Sequence, residues 1–99
     1  MSGTTPGSTS ERLRVKLEGL VAECVDQPET VRVEVSEGLD REQLPSLFFR
    51  IHTLPTDRGR VIGSGGKTMG HLRSLFGAVG ARLKLRIYME VADSFAPRA

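Results

Sequence analysis

The feature that most restricts the fold is the run RGRVIGSGGKT at residues 58–68, which holds four glycines and three cations. Glycine adopts positive φ angles at little steric cost, so such a cluster is typical of a tight turn or of backbone that a ligand approaches closely. A strand-like apolar pattern precedes the run and a helix-like pattern follows it. The run is therefore predicted to be an exposed, positively charged turn between packed elements.

The first half of the chain alternates between two apolar periods. Helical spacing predicts a helix over residues 11–26, with Ser10 as its N-cap. Period-two alternation predicts a strand over residues 31–36 that Gly38 closes, and a second strand over residues 47–54.

The second half is predicted to add two helices and a strand. A short helix is expected to begin at Thr56 or Asp57, either of which suits an N-cap. An amphipathic pattern then predicts a helix over residues 67–79 with Gly80 as its C-cap. The clearest alternation predicts a last strand over residues 83–91.

This order of elements, α-β-β-α-α-β, predicts an α+β domain in which helices cover one face of a three-stranded sheet. The domain is expected to span residues 11–92. The polar residues 1–10 are predicted to be a disordered tail, and residues 93–99 a flexible one.

Composition excludes several classes of function. A single cysteine, Cys24, cannot form an intramolecular disulfide, and with two histidines the chain lacks the spacing of a zinc site. Cys24 lies on the apolar stripe of the first helix, so we expect a buried thiol rather than a nucleophile. Without a secretory leader or an apolar run of membrane-spanning length, the protein is expected to be cytoplasmic, with no membrane, metal or cofactor partner.

Charge is divided unevenly along the chain. Residues 11–49 contain five cations and nine anions, whereas residues 50–86 contain eight cations and a single anion. The positive segment surrounds the glycine turn. A basic surface on one part of a small domain is expected to attract a polyanion, because neutralised phosphates release condensed counterions.

Three interpretations of the glycine turn compete. The ending Gly66, Lys67, Thr68 matches a nucleotide-binding P-loop, but that motif needs a glycine where this chain has Val61. The glycines could instead simply connect two helices, with the cations solvated. The third interpretation is a GxxG turn between two helices, preceded by an apolar pair and followed by a lysine.

On this motif and element order, residues 11–92 resemble the small bacterial single-domain KH proteins of the KhpA type. The resemblance implies a type II KH fold and a turn at residues 63–66 that grips the backbone of single-stranded RNA. The residues assigned to this site are Arg58, Arg60, Ile62, Gly63, Ser64, Gly65, Gly66, Lys67 and Arg73. The bases are expected to lie in a shallow apolar groove formed by residues such as Ile51, Val61, Ile62 and Met69.

The chain departs from that family at Ser64 and Gly65, where such loops often carry Lys or Arg, so its RNA affinity is expected to be weak. The resemblance further implies a non-enzymatic RNA chaperone or post-transcriptional regulator linked to cell shape and envelope growth. Expected partners are a second copy or a KhpB-type protein. A protein-interaction adaptor and a degenerate P-loop nucleotide-binding protein are the alternatives.

Overall fold

The computed structural model describes residues 8–92, so residues 1–7 of the predicted N-terminal tail and the predicted C-terminal tail, residues 93–99, lie outside the described residues. The predicted tail is wrong for residues 8–10, which form the N-cap and the first two residues of the first helix. The order α-β-β-α-α-β is confirmed. The elements are α1 (Thr9–Ala22), β1 (Arg32–Leu39), β2 (Pro45–His52), α2 (Pro55–Ile62), α3 (Lys67–Leu83) and β3 (Arg86–Val91), with 3₁₀ turns at Pro28–Thr30 and Ser64–Gly66. Within residues 8–92, no helix is both long and apolar enough to cross a membrane.

The three strands form one mixed sheet in the order β1-β2-β3. β1 runs antiparallel to β2, with Val35 opposite Phe49, and β2 runs parallel to β3, with Phe49 beside Met89. A parallel pair needs a long crossover, which α2, the glycine turn and α3 provide. The glycine turn is therefore part of the connection that brings β3 back to the sheet.

One face of the sheet carries the core. Because side chains alternate along a strand, the odd-numbered residues of all three strands point toward the helices. The buried hydrophobic core consists of Leu13, Leu17, Val21, Val31, Val33, Leu47, Phe49, Ile51, Val61, Met69, Leu72, Phe76 and Met89. Burying one such side chain fully stabilises the fold by about 1.5–3 kcal/mol. Apart from the buried Ser46, the even-numbered strand residues form a face that the described helices leave uncovered.

The ends of α1 differ from those predicted. Ser8, not Ser10, caps the helix by accepting a hydrogen bond from the Glu11 amide at 3.3 Å, so α1 begins at Thr9. The helix also ends at Ala22, four residues early. Cys24 therefore follows the helix and is only partly buried, which corrects the predicted burial of its thiol.

The predicted role of Gly80 as a C-cap is wrong. Gly80 is buried inside α3, which continues to Leu83 and ends on Lys84 at φ 61°. A Cβ atom at Gly80 would lie 2.6 Å from the carbonyl oxygen of Leu85, so a missing side chain lets the chain pass close to the helix. β3 consequently begins at Arg86 instead of residue 83.

The turn between β1 and β2 also lies later than predicted, because Gly38 does not close the strand but pairs with Ser46. Asp40 forms the turn instead. Its Oδ1 atom accepts from the amides of Glu42 at 2.8 Å and Leu44 at 3.0 Å. We call residues 40–44 the aspartate turn.

Candidate functional site

The glycine turn, residues 63–66, lies between the end of α2 and the start of α3. Val61, which is fully buried, anchors the last turn of α2 in the core. Gly63 ends the helix at φ 83°, and Gly65 and Gly66 have φ of 64° and 79°. A hydrogen bond of 3.0 Å from the Gly66 amide to the Gly63 carbonyl closes the turn.

Gly63 faces protein, whereas Gly65 and Gly66 face open space. A Cβ atom at Gly63 would lie 2.5 Å from Oγ1 and 2.6 Å from the amide nitrogen of Thr68. A Cβ atom at either of the other two would have no neighbour within 4 Å among the atoms described. The first glycine therefore lets α3 pack against α2, and the other two give the turn a bare outer surface.

Two amides of the turn are free to donate. Within residues 8–92, the amides of Ser64 and Gly65 have no hydrogen-bond acceptor, although those of Gly66 and Lys67 donate to the carbonyls of Gly63 and Ser64. Adjacent N–H groups at the start of a helical segment attract anions. The ammonium group of Lys67 is exposed and has no ion pair with any described residue. The sequence indicated an amide-rich turn but not which amides remain available.

Asp57 fixes the direction of α2, a role that the sequence did not reveal. Its buried carboxylate accepts from the amides of Asp26 at 3.2 Å and Gln27 at 3.1 Å. It is therefore not the N-cap: Leu54 holds that position without a side-chain hydrogen bond. An uncompensated buried charge is costly, so these bonds tie α2 to the chain that follows α1.

The three arginines assigned to the site bind to neighbouring parts of the fold. The Arg58 Nε atom donates to the Ala92 carbonyl at 3.0 Å, and Arg73 donates to the Met89 carbonyl at 3.4 Å. Arg60 pairs with Asp26 at 3.3 Å, and both side chains are more than half exposed. Exposed pairs contribute only about 0–1 kcal/mol, so Arg60 can exchange this partner for another anion.

The predicted apolar groove is mostly wrong. Ile51, Val61 and Met69 are buried in the core, and Ile62 alone of the four is partly exposed. Periodicity identified these residues as apolar but could not separate core positions from positions lining a surface groove.

The geometry does not match a nucleotide-binding P-loop, because a P-loop joins a strand to a helix and this turn joins two helices. Among the described residues, no group of three or more His, Cys, Asp or Glu side chains could hold a metal ion. The two free amides and the open outer surface of the turn at residues 63–66 can accommodate an anion.

Comparison with known proteins agrees with this architecture. The family model described as KhpA/KhpB, KH domain, matches residues 14–91. The RNA-binding protein KhpA of Streptomyces coelicolor is 43% identical over 70 residues, covering 71% of this chain and 82% of its own. The KhpA proteins of Mycobacterium bovis and Halalkalibacterium halodurans are 36% and 30% identical over 79% and 82% of this chain, and over 88% and 100% of their own. No solved structure matches the chain significantly.

Proposed function

Because the chain belongs to the KhpA/KhpB KH-domain family, we propose that it binds single-stranded RNA through the glycine turn at residues 63–66. Its curated relatives bear the name RNA-binding protein, which supports this choice of ligand. The observation that carries the proposal is the pair of amides, of Ser64 and Gly65, that have no acceptor within the described residues and that no side chain covers.

The bare turn lets a sugar-phosphate backbone come within hydrogen-bonding distance of these amides. A hydrogen bond to a charged group contributes about 1.5–3 kcal/mol, so two such contacts can anchor one phosphate. Lys67 and Arg60 add positive charge on either side of the turn. A clamp of this kind holds about four nucleotides. The partly exposed Ile62 provides an apolar contact for a base next to the clamp.

A site for four nucleotides gives modest affinity, so a second site on a linked protein would raise it through effective concentration. We therefore propose that the protein acts with a second copy or with a KhpB-type partner. Its proposed role is that of a cytoplasmic, non-enzymatic RNA chaperone or post-transcriptional regulator linked to cell shape and envelope growth.

The double variant Ser64→Asp, Gly65→Asp tests the clamp. Both side chains would point into solvent, so the fold should persist, while two carboxylates would repel phosphate from the free amides. Fluorescence anisotropy with a labelled 12-nucleotide single-stranded RNA should show at least a tenfold loss of affinity, equal to about 1.4 kcal/mol.

The matched control is Val15→Asp, Gly19→Asp, which adds the same charge on exposed positions of α1. It should reduce affinity far less. Equal losses in the two variants would show that only net charge matters, and an unchanged affinity in the turn variant would favour the adaptor interpretation. Hydrolysis of ATP or GTP with magnesium that Lys67→Ala abolishes would instead favour a nucleotide-binding enzyme.

A further inference from the structure

The outer edge of β1 is covered by side chains at one point. The Val33 amide donates to Glu18 Oε2 at 3.0 Å, and Arg14 donates to the Val33 carbonyl at 3.4 Å. These two α1 side chains occupy the positions that a neighbouring strand would otherwise fill. Covering an edge in this way prevents another strand from pairing there.

Further along the strand, none of the described residues 8–92 pairs with the same edge. In an antiparallel pair, every second residue directs its amide and carbonyl away from its partner strand, so Val35 and Glu37 share the orientation of Val33. Among residues 8–92, no hydrogen-bond partner binds the backbone groups of Val35 or Glu37 on this outer side. The Glu37 carboxylate accepts a hydrogen bond from the Ser10 hydroxyl at 2.7 Å. This contact involves only the side chain, so the amide and carbonyl of Glu37 are available for strand pairing.

A groove of about 880 Å³ runs from this edge onto the helix-free face of the sheet, past Val35 and Ser36 to Phe48 and Tyr88. The Phe48 and Tyr88 rings stack with centroids 5.4 Å apart, and their side chains remain 36% and 42% exposed. On β1, the residue opposite Phe48 is the small Ser36, and the neighbouring Gly38 has no side chain, so a side chain from an added strand can reach the ring.

Charge on this edge selects the partner. Four carboxylates lie on β1 and the adjacent part of α1, against two cations, Arg32 and Arg14, of which Arg14 pairs with Glu11 and Glu18. The carboxylates belong to Glu11, Glu18, Glu34 and Glu37. This excess of negative charge repels nucleic acid and also a second copy of the same edge, whereas it attracts a basic peptide.

We propose that the β1 edge at residues 35–39 binds an extended, basic segment of a partner protein as a fourth strand. Backbone hydrogen bonds to Val35 and Glu37 provide the pairing, and an apolar side chain of the segment packs on Phe48 across Gly38. Lysine or arginine side chains at alternating positions lie on the opposite face of the added strand, toward Glu37 and the carboxylates of α1. This is strand addition at a free sheet edge, independent of the proposed RNA site, which lies in the connection between β2 and β3.

The probe is a capped seven-residue peptide that alternates lysine with valine and carries a central phenylalanine. Its control has the same sequence with N-methyl groups on alternate amides, which keeps the charge but removes strand pairing. With the full chain and saturating probe, hydrogen exchange at the Val35 and Glu37 amides should slow at least tenfold. The methylated peptide should produce no such slowing.

Two variants locate the contact. Phe48→Ala should weaken probe binding about tenfold and Glu37→Lys about fivefold, whereas Val15→Ala, at an exposed apolar position on α1, should leave it unchanged. Equal binding of the methylated peptide, or protection confined to other elements, would overturn the proposal. So would slowing of exchange at Val35 and Glu37 by single-stranded RNA, or by raising the protein concentration alone.

Discussion

Two tight turns of the molecule reverse the chain by different means. In the aspartate turn, a side chain holds the backbone in place. The Asp40 carboxylate accepts hydrogen bonds from the amides of Glu42 and Leu44 and from the Tyr88 hydroxyl, the last at 2.9 Å. In the glycine turn, three glycines with positive φ redirect the chain, and no described side chain caps it with a hydrogen bond.

The two turns differ in how their backbone amides are hydrogen-bonded. Polar backbone groups removed from water need partners. In the aspartate turn, the amides of Glu42, Gln43 and Leu44 all donate to Asp40. The glycine turn closes one internal bond and leaves the amides of Ser64 and Gly65 without an acceptor among the described residues. A turn whose amides donate within the protein stabilises the fold, whereas a turn with free amides and open space above them is available to a ligand.

The largest loss of stability is expected for Gly63→Ala, which tests whether the fold requires glycine at the first position of the glycine turn. The new methyl group would meet Thr68, at a φ/ψ combination that only glycine adopts readily. Strain and overpacking together should lower the free energy of unfolding by about 3 kcal/mol. Urea denaturation followed by circular dichroism measures this free energy of unfolding.

Gly59→Ala is the control, because this exposed α2 position has nothing within 4 Å of a Cβ atom. It should raise stability by about 0.5–1 kcal/mol. A loss in the control as large as that of Gly63→Ala would show that α2, rather than the turn, is the sensitive element.

A smaller, pH-dependent effect is expected in the aspartate turn. The Leu44 amide, followed by the Tyr88 hydroxyl and the Glu42 amide, lowers the pKa of Asp40 below its usual value, against the opposing effect of burial. A carboxyl group with a lowered pKa stabilises the fold above about pH 4, and that stability is lost as the pH falls through the folded-state pKa.

The thermal midpoints of the wild type and Asp40→Asn, measured from pH 2 to 7, should therefore differ at neutral pH and converge in acid. Tyr88→Phe removes one hydrogen-bond donor to Asp40. In a protein that carries it, Asp40→Asn should change the thermal midpoint at neutral pH by less. Parallel curves for wild type and Asp40→Asn would show that Asp40 contributes no pH-dependent stability.

Gly65→Ala should cost about 1 kcal/mol of stability, since alanine tolerates its left-handed conformation poorly but meets no neighbour. Gln43→Gly in the aspartate turn should instead raise stability, because Gln43 has a φ of 66°, which glycine adopts at less steric cost. RNA affinity should fall in Gly65→Ala and remain unchanged in Gln43→Gly. Identical affinities would remove the functional distinction between the turns.

The smallest effect on folding is expected for Lys67→Ala, since this exposed side chain has no described partner. Stability should be unchanged. The slope of log affinity for RNA against log salt concentration should decrease by about 0.7, the contribution of one phosphate contact on a single strand. An unchanged slope would show that Lys67 does not approach the nucleic acid.

The sequence predicted the order of elements because strands and amphipathic helices carry distinct apolar periods. It misplaced the end of α3, since Gly80 follows an apolar helical pattern as a C-cap would, and its actual role depends on the nearby backbone of Leu85. The amides that Asp57 binds lie 30 and 31 residues earlier, a pairing that local patterns do not contain. The glycines located the turn, but its free amides depend on the three-dimensional arrangement of residues 63–67.

The most direct test is a ¹H–¹⁵N titration of the full chain with a single-stranded RNA tetranucleotide. The amide resonances of Ser64 and Gly65 should shift most, with those of Lys67 close behind, while the amides of Glu42 and Leu44 in the aspartate turn should stay in place. Saturable RNA binding that leaves Ser64 and Gly65 unshifted, with the changes confined to other elements, would contradict the account.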